Sequence, residues 1–495
     1  MSEKKRERVP TGVEGFDEII EGGFLPGSIN LVSGEAGTGK TMFATAFIAN
    51  GALMHDENGL IITLEEDRDG IINNGPKALR DAMEKKPGMV SIFDISAMRS
   101  LMTTSEESKG ITSALDVEVL KEMIGRWMKE KEIKRIAIDG VASIAIRYGS
   151  EPHFRSALFK LAAYLRKSGA TSVLTVEVNE KGRFSRYGVE EFVGDSIILL
   201  TRENGIREIK IPKFRGSGVL PGRHTFTIDR NGIRAYHELY PSKQTKGLSR
   251  KKELFGIPGI DEMTGGGFYR GDSTLVVGNA GTGKTIFGLQ FLYAGAINGE
   301  PGLFISSKES DKELQRIAAG LGMDLRELIK SGLLELLLID QRTREPNKNA
   351  WEILNRTKGK RRLVIDTLND YWPLSPETNI RKQLFSLSSH LKSRGVSSVF
   401  TMESERFMGD LTEKESRLTF VADNVILLKY VEIRSEIKKS VNILKMRGSD
   451  FDHSIRDLKI TNKGIIVGER FEGMERVMSG TPNTPVAQRM QRFFG

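Results

Sequence analysis

Short, nearly continuous apolar runs punctuate the chain and alternate with stretches of helical spacing. In the first half the runs are Leu60 to Leu64, Arg135 to Ile138, Ser172 to Val176 and Ser196 to Leu200. Strands buried on both faces read as unbroken apolar runs, so this pattern predicts a parallel β-sheet with helices on both sides. Two further β-rich runs, Ile29 to Ser33 and Ser273 to Val277, lead through glycine-rich stretches into helix-like patterns. The first pattern carries Met42, Phe43, Phe47 and Ile48; the second carries Ile286, Phe287, Leu289, Phe291 and Leu292.

The glycine-rich stretches are the same motif twice. Gly34-Glu35-Ala36-Gly37-Thr38-Gly39-Lys40-Thr41 and Gly278-Asn279-Ala280-Gly281-Thr282-Gly283-Lys284-Thr285 both fit G-x-x-x-x-G-K-[ST], and they stand 244 residues apart. Strand, glycine loop and helix is the context that a phosphate-binding loop requires. Gly12 to Glu18 recurs as Gly256 to Glu262, and Gly22-Gly23-Phe24 as Gly266-Gly267-Phe268, at the same offset. A period this long is far beyond a solenoid repeat and implies duplication of a whole domain. The expected organisation is a first domain over 1–240, a basic polar linker over 241–252, a second domain over 253–481 and a tail over 482–495.

Composition narrows the chemistry. The chain has no cysteine, which excludes disulfides and thiolate metal sites, and its 6 histidines show no metal-ligand spacing. The first residues lack the apolar core of a signal peptide, and no run is long and apolar enough to cross a bilayer. A cytoplasmic location is expected. The net charge of +9 permits contact with nucleic acid or acidic partners, although no basic groove interleaved with aromatic residues accompanies it. Nucleic acid is therefore not the expected partner, and neither is a membrane.

The two loops predict nucleotide sites for ATP and Mg²⁺. Gly34, Gly37, Thr38, Gly39, Gly278, Gly281, Thr282 and Gly283 let backbone N–H groups close on phosphate oxygens. Lys40 and Lys284 are expected to bridge the β- and γ-phosphates, and Thr41 and Thr285 to offer hydroxyls to Mg²⁺. Asp139 and Asp366 each end an apolar run, at the carboxyl end of a strand where ligands of such sheets bind, and are the expected second Mg²⁺ ligands. Glu65-Glu66 ends Leu60 to Leu64 and supplies a candidate general base, one carboxylate facing the phosphate and the other supporting it. The second half has Lys308-Glu309 there, and an ammonium is a poor base at neutral pH, so the two sites are expected to turn over unequally. Lys213-Phe214-Arg215 recurs as Lys445-Met446-Arg447, and each pair is a candidate cationic finger toward a neighbouring subunit's γ-phosphate.

Taken with Arg186 to Val193, Tyr430 to Arg434 and Phe471 to Gly480, these residues resemble the KaiC family of RecA-like clock ATPases and autokinases over nearly the whole chain. The resemblance implies an α/β fold of two tandem RecA-like P-loop domains, each a mostly parallel sheet flanked by helices. It also implies a double-ring homohexamer with ATP between subunits, regulatory partners of Kai type, a hydrolytic first lobe and a phosphotransferring second lobe. The family's adjacent Ser-Thr acceptor pair falls on Thr419-Phe420, leaving Thr419 as the one phosphorylation candidate. Aligning Val193-Gly194-Asp195 with Val421-Ala422-Asp423 sets Glu191-Phe192 opposite Thr419-Phe420. Lys308, in place of the family's proton-accepting glutamate, counts against kinase activity, with Glu309 the remaining carboxylate there. Two other readings stay open: a RecA- or RadA-like DNA-dependent ATPase, and a nucleotide-stabilised signalling scaffold.

Overall fold

The computed structural model describes residues 7–95, 116–148, 150–178, 184–185, 188–203, 205–216, 218–242, 249, 251–339, 346–371, 377–404, 406, 416, 418–433 and 436–471. Arg186, Tyr187, Arg434, residues 472–480, the tail over 482–495, and 243–248 and 250 of the linker lie outside the described residues. The chain divides into two compact units, Met1–Glu238 and Leu239–Gly495.

The first unit holds β1 (Ile29–Gly34), β2 (Gly59–Thr63), β3 (Val90–Asp94), β4 (Arg135–Asp139), β5 (Thr171–Glu177), β6 (Ser196–Glu203), β7 (Ile206–Phe214), β8 (His224–Asp229) and β9 (Gly232–Tyr236). They form one sheet in the order β3-β2-β4-β5-β1-β6-β7-β8-β9. The strands from β3 to β6 are parallel, and β6 to β9 continue as an antiparallel meander.

The second unit opens with a short pair, β10 (Lys252–Glu253) and β11 (Phe268–Tyr269). It continues with β12 (Ser273–Gly278), β13 (Gly302–Ser306), β14 (Leu334–Leu338), β15 (Arg362–Asp366), β16 (Ser397–Glu403), β17 (Asn424–Ile433), β18 (Glu436–Met446), β19 (Arg456–Thr461) and β20 (Gly464–Arg470). Their order, β14-β13-β15-β16-β12-β17-β18-β19-β20, repeats that of the first sheet. This is the predicted α/β class, two tandem RecA-like P-loop domains with mostly parallel sheets flanked by helices.

The apolar runs are continuous because alternate residues enter different cores. Ile29, Leu31, Leu60, Ile62, Ile136 and Ile138 pack with the helices Val117–Lys131 and Glu151–Ser168. Val32, Ile61, Ala137 and Val173 pack on the other face with the phosphate-loop helix, Lys40–His55. Leu64 falls one residue past β2, yet its N–H still bonds to the Asp139 carbonyl at 3.0 Å. Leu239 is buried in the second unit's core, beside Leu275, Leu387 and Leu391.

Candidate nucleotide site

Each phosphate loop leaves the carboxyl end of a central strand and turns into a helix. The turn needs glycine: Gly37 and Gly281 have φ of 73° and 75°, and Gly39 and Gly283 both have 108°, where a side chain is strained. Thr38 Oγ1 donates to the Glu35 carbonyl, and Thr282 Oγ1 to that of Asn279, each at 2.8 Å. Lys40 Nζ folds back across its loop to the carbonyls of Gly34 and Glu35, both at 3.0 Å. Lys284 Nζ does the same with Gly278 at 2.9 Å and Asn279 at 2.8 Å. Burial pulls both ammonium groups below the usual lysine range, and nearby carboxylates oppose it. A bound polyphosphate supplies the charge that offsets this cost.

Asp139 and Asp366 stand at the floor of the two sites. Thr41 Oγ1 lies 3.1 Å from both oxygens of Asp139, and Thr285 Oγ1 lies 2.7 Å from Asp366 Oδ2. Thr175 donates to Asp139 at 2.7 Å, and Thr401 donates to Asp366 in the same way. Burial raises the pKa of both aspartates, with neighbouring glutamates adding to it. A buried carboxylate beside a hydroxyl is a hard-oxygen pair that fits Mg²⁺ completed by phosphate oxygens. Among the described residues no group of three or more His, Cys, Asp or Glu could hold a metal by itself.

The residues beyond this floor differ between lobes. Glu65 Oε1 accepts from Ser143 Oγ at 3.0 Å and lies over Gly140, where a Cβ would stand 2.7 Å from its carboxyl carbon. Its charge acts on both Lys40 and Asp139. Glu66 is held by its backbone, its carbonyl accepting from Thr63 Oγ1 at 2.6 Å, and its Oε2 is buried without a hydrogen-bond partner among the described residues. In the second lobe Glu309 is turned back, Oε2 accepting from Ser306 Oγ at 2.7 Å. Lys308 Nζ sits 3.5 Å from Asp370 and 3.5 Å from Glu403. Burial pulls Lys308 down, but Asp370 and Glu403 together hold it above the usual lysine range.

Sequence reasoning missed Glu177 and Glu403. Sheet register sets them beside Gly34 and Gly278, at the base of the phosphate loops. Glu177 is the strongest charge acting on Lys40, and Glu403 the strongest acting on Lys284. Each ends an apolar strand as Asp139 does, a signal that could have found them.

The Lys-x-Arg pairs are not part of their own lobe's site. Lys213 Nζ donates to the Glu191 carbonyl at 2.9 Å, and Arg215 reaches Asp195 at 3.4 Å. Lys445 Nζ donates to the carbonyls of Thr419 at 3.3 Å and Ala422 at 2.7 Å, and Arg447 lies 3.7 Å from Asp423. Phe214 pairs with Ser196, and Ser196 with Asn30, so these cations flank the start of β1 while the phosphate loop leaves its end. The four residue steps from Asn30 to Gly34 span about 13 Å. Because the two lysines bond the carbonyls of Glu191 and Thr419, those residues occupy equivalent places. The Glu191 carboxylate accepts from Phe184 N and Ser185 Oγ, both at 3.3 Å, whereas Thr419 Oγ1 donates to the Ser416 carbonyl at 2.7 Å.

A phosphate loop with its lysine, threonine and strand-end aspartate, carried twice on RecA-like sheets, defines a tandem nucleotide-binding ATPase. The family model described as "ATPase: KaiC" matches residues 9–240 and 255–472. The chain belongs to the KaiC ATPase family. It is 34% identical over 482 residues to the circadian clock oscillator protein KaiC of Parathermosynechococcus lividus, covering 95% of this chain and 87% of the relative. It is 33% identical over 483 residues to that of Synechococcus elongatus, covering 96% and 92%. No helix among the described residues is long and apolar enough to cross a membrane.

Proposed function

We propose that this chain is a cytoplasmic, homohexameric, Mg²⁺-dependent ATPase whose first lobe hydrolyses ATP and whose second lobe binds ATP for assembly and control. The first lobe is assigned residues 1–240, the second 253–481, with a linker between them and a tail after. The observation that carries this reading is the difference in carboxylates: Glu65 and Glu66 in one lobe, Lys308 tied to Asp370 and Glu403 in the other. The position of Lys213 and Arg215, on the far side of β1 from their own phosphate loop, supports a site completed by a neighbouring copy.

In the first lobe Lys40 holds the β- and γ-phosphates, and Thr41 and Asp139 would hold Mg²⁺, which neutralises developing phosphate charge when bound. Glu65 or Glu66 takes a proton from the attacking water as its oxygen bonds to the γ-phosphorus and the bond to ADP breaks. Ser143 fixes the Glu65 carboxylate for that task, and Lys213 and Arg215 of the neighbouring copy offset the charge. In the second lobe Lys284, Thr285 and Asp366 form the same cradle. Lys308 is a cation and cannot accept the proton, and Glu309 is engaged by Ser306. Lys445 and Arg447 serve the second ring as their counterparts serve the first. Autophosphorylation, where it occurs, falls on Thr419 and is slow. Regulatory proteins of Kai type are the partners to test.

Glu65→Gln combined with Glu66→Gln is expected to nearly abolish ATP hydrolysis, measured as phosphate release. Turnover at the wild-type rate would overturn the assignment. Mass measurement of the assembly in ATP and in ADP, with phosphopeptides read from the same sample, tests the hexamer and Thr419 together.

A further inference from the structure

Each phosphate loop is gripped through its carbonyls by a side chain that the chemistry above does not use. In the first lobe Arg207 Nη1 donates to the carbonyls of Gly37 at 3.0 Å and Thr38 at 3.1 Å. In the second lobe Tyr430 Oη donates to the Ala280 carbonyl at 3.2 Å. A Cβ on Gly281 would stand 2.9 Å from that hydroxyl, so the tyrosine lies directly against the loop.

The sheets explain how two different residues reach the same place. Leu200 and Ile209 pair across β6 and β7 and pack in the core shared with the helix Lys40–His55. Leu428 and Val441 pair across β17 and β18 and pack with the helix Lys284–Ile297. Side chains on a strand return to the same face every second residue. Two residues further along each hairpin, Arg202 stands opposite Arg207 and Tyr430 opposite Lys439, on that same face. The first lobe sends the residue of the returning strand to its loop, and the second sends the residue of the outgoing strand. Like charges directly opposite one another on a sheet are unfavourable. Burial, and then the charge of Arg202, pulls Arg207 below the usual arginine range. That cost calls for a use of the guanidinium, and the two loop carbonyls supply one.

A carbonyl and the N–H of the next residue belong to one peptide unit. Gly37 shares its unit with Thr38, Thr38 with Gly39, and Ala280 with Gly281. A donor at the oxygen polarises the N–H at the other end, and these are the groups that a phosphate loop turns toward its ligand. We propose that Arg207 and Tyr430 are positioning residues that pre-form the two phosphate loops for polyphosphate, by a cation in the first lobe and by a neutral hydroxyl in the second. Both act through the loop backbone. Ordering a loop before the ligand arrives lowers the cost of binding, so the effect belongs to affinity. The inference rests on both loops binding nucleotide and not on which lobe hydrolyses it.

The test is the Kd of the full chain for ADP with Mg²⁺, measured by isothermal titration calorimetry. Lys284→Ala leaves the first loop as the site measured, and Lys40→Ala leaves the second. In these backgrounds Arg207→Ala is expected to raise Kd about tenfold, and Tyr430→Phe, which removes a single hydroxyl, about threefold. Unfolding midpoints without nucleotide should stay at the background value. Arg207→Lys keeps the charge but loses the guanidinium that meets two carbonyls, and it is also expected to weaken binding. Adding Arg202→Tyr to it rebuilds the second lobe's pair and should recover most of that loss, which a role in folding alone does not predict. An unchanged Kd in either variant, or an unfolding midpoint that falls along with affinity, would overturn the positioning role in that lobe. No recovery in the double variant would overturn the equivalence of the two contacts. A wild-type chain that binds no ADP would overturn the nucleotide-site reading itself, and this inference with it.

Discussion

Lys308 Nζ stands 3.5 Å from Glu403 Oε2, at the place where the first lobe sets two carboxylates, Glu65 and Glu177, around Lys40. The pairing removes a base and ties up the carboxylate beside the phosphate loop. Replacing Lys308 by glutamate restores the missing carboxylate and releases Glu403. In a Glu65→Gln, Glu66→Gln background, where the first lobe is silent, Lys308→Glu is expected to raise residual ATP turnover by about tenfold or more, since a positioned base is worth that much or greater. Phosphate release from the two backgrounds checks this. Equal rates would mean that Lys308 is not what restrains the second site.

Much of this site is legible in chain order. The phosphate loops carry their own glycines, lysine and threonine, and Asp139 and Asp366 end runs whose apolar character is unbroken. Glu177 and Glu403 end similar runs but acquire meaning only from strand order. β5 lies beside β1 and β16 beside β12, which brings these carboxylates next to Gly34 and Gly278. A linear reading does not contain that adjacency. Nor does it show that the Lys-x-Arg pairs flank the start of β1 and of β12, because that depends on the antiparallel return of β7 and β18. The divergence between Glu65 and Lys308 is visible in sequence; Asp370 and Glu403 as the anchors of Lys308 are not.

The buried arginines at the starts of β4 and β15 show a second property hidden in sequence. Arg135 is bonded to Glu57 at 2.5 Å and to the carbonyls of Pro10 at 2.8 Å and Phe47 at 3.1 Å, with its guanidinium 4.7 Å from the Phe47 ring centroid. Arg362 repeats this with Glu300, Leu254, Phe291 and the Phe291 ring. Each arginine explains a glycine within the phosphate-loop helix: a Cβ at Gly51 would lie 2.5 Å from Arg135 Cδ, and one at Gly295 2.4 Å from Arg362 Cδ. Alanine ordinarily gains about 1 kcal/mol over glycine in a helix. Here crowding a packed guanidinium costs about 1–3 kcal/mol, so Gly51→Ala is expected to lower the first lobe's unfolding midpoint. Arg135→Met is expected to cost about 3 kcal/mol, because buried carbonyls lose their donors. Thermal unfolding without nucleotide checks both, and a rise in Tm for Gly51→Ala would count against this packing.

Asp272 gives the second lobe a pH dependence that the first does not share, since Ser28 holds its place there. Lys392 Nζ is divided between Asp272 at 3.0 Å and Asp423 at 2.9 Å, and Arg447 lies 3.7 Å from Asp423. Burial, then the charge of Asp423, pushes Asp272 from the ordinary 3.8 up to about 6, with Lys392 opposing. A carboxyl whose pKa is raised by folding binds its proton more tightly in the native state. Above about pH 6 it is ionised in both states and the native state bears the full cost; below about pH 4 it is protonated in both and the cost is gone. Lowering the pH through that window therefore stabilises the second lobe through this group. Asp272→Asn removes the cost while Lys392 keeps Asp423, so near neutral pH it is expected to stabilise the lobe by about 1–3 kcal/mol. The gain should shrink as pH falls through 6 and vanish by about 4. Unfolding midpoints of wild type and variant across that range measure it. A variant less stable than the wild type at neutral pH would show that the lysine pairing outweighs burial.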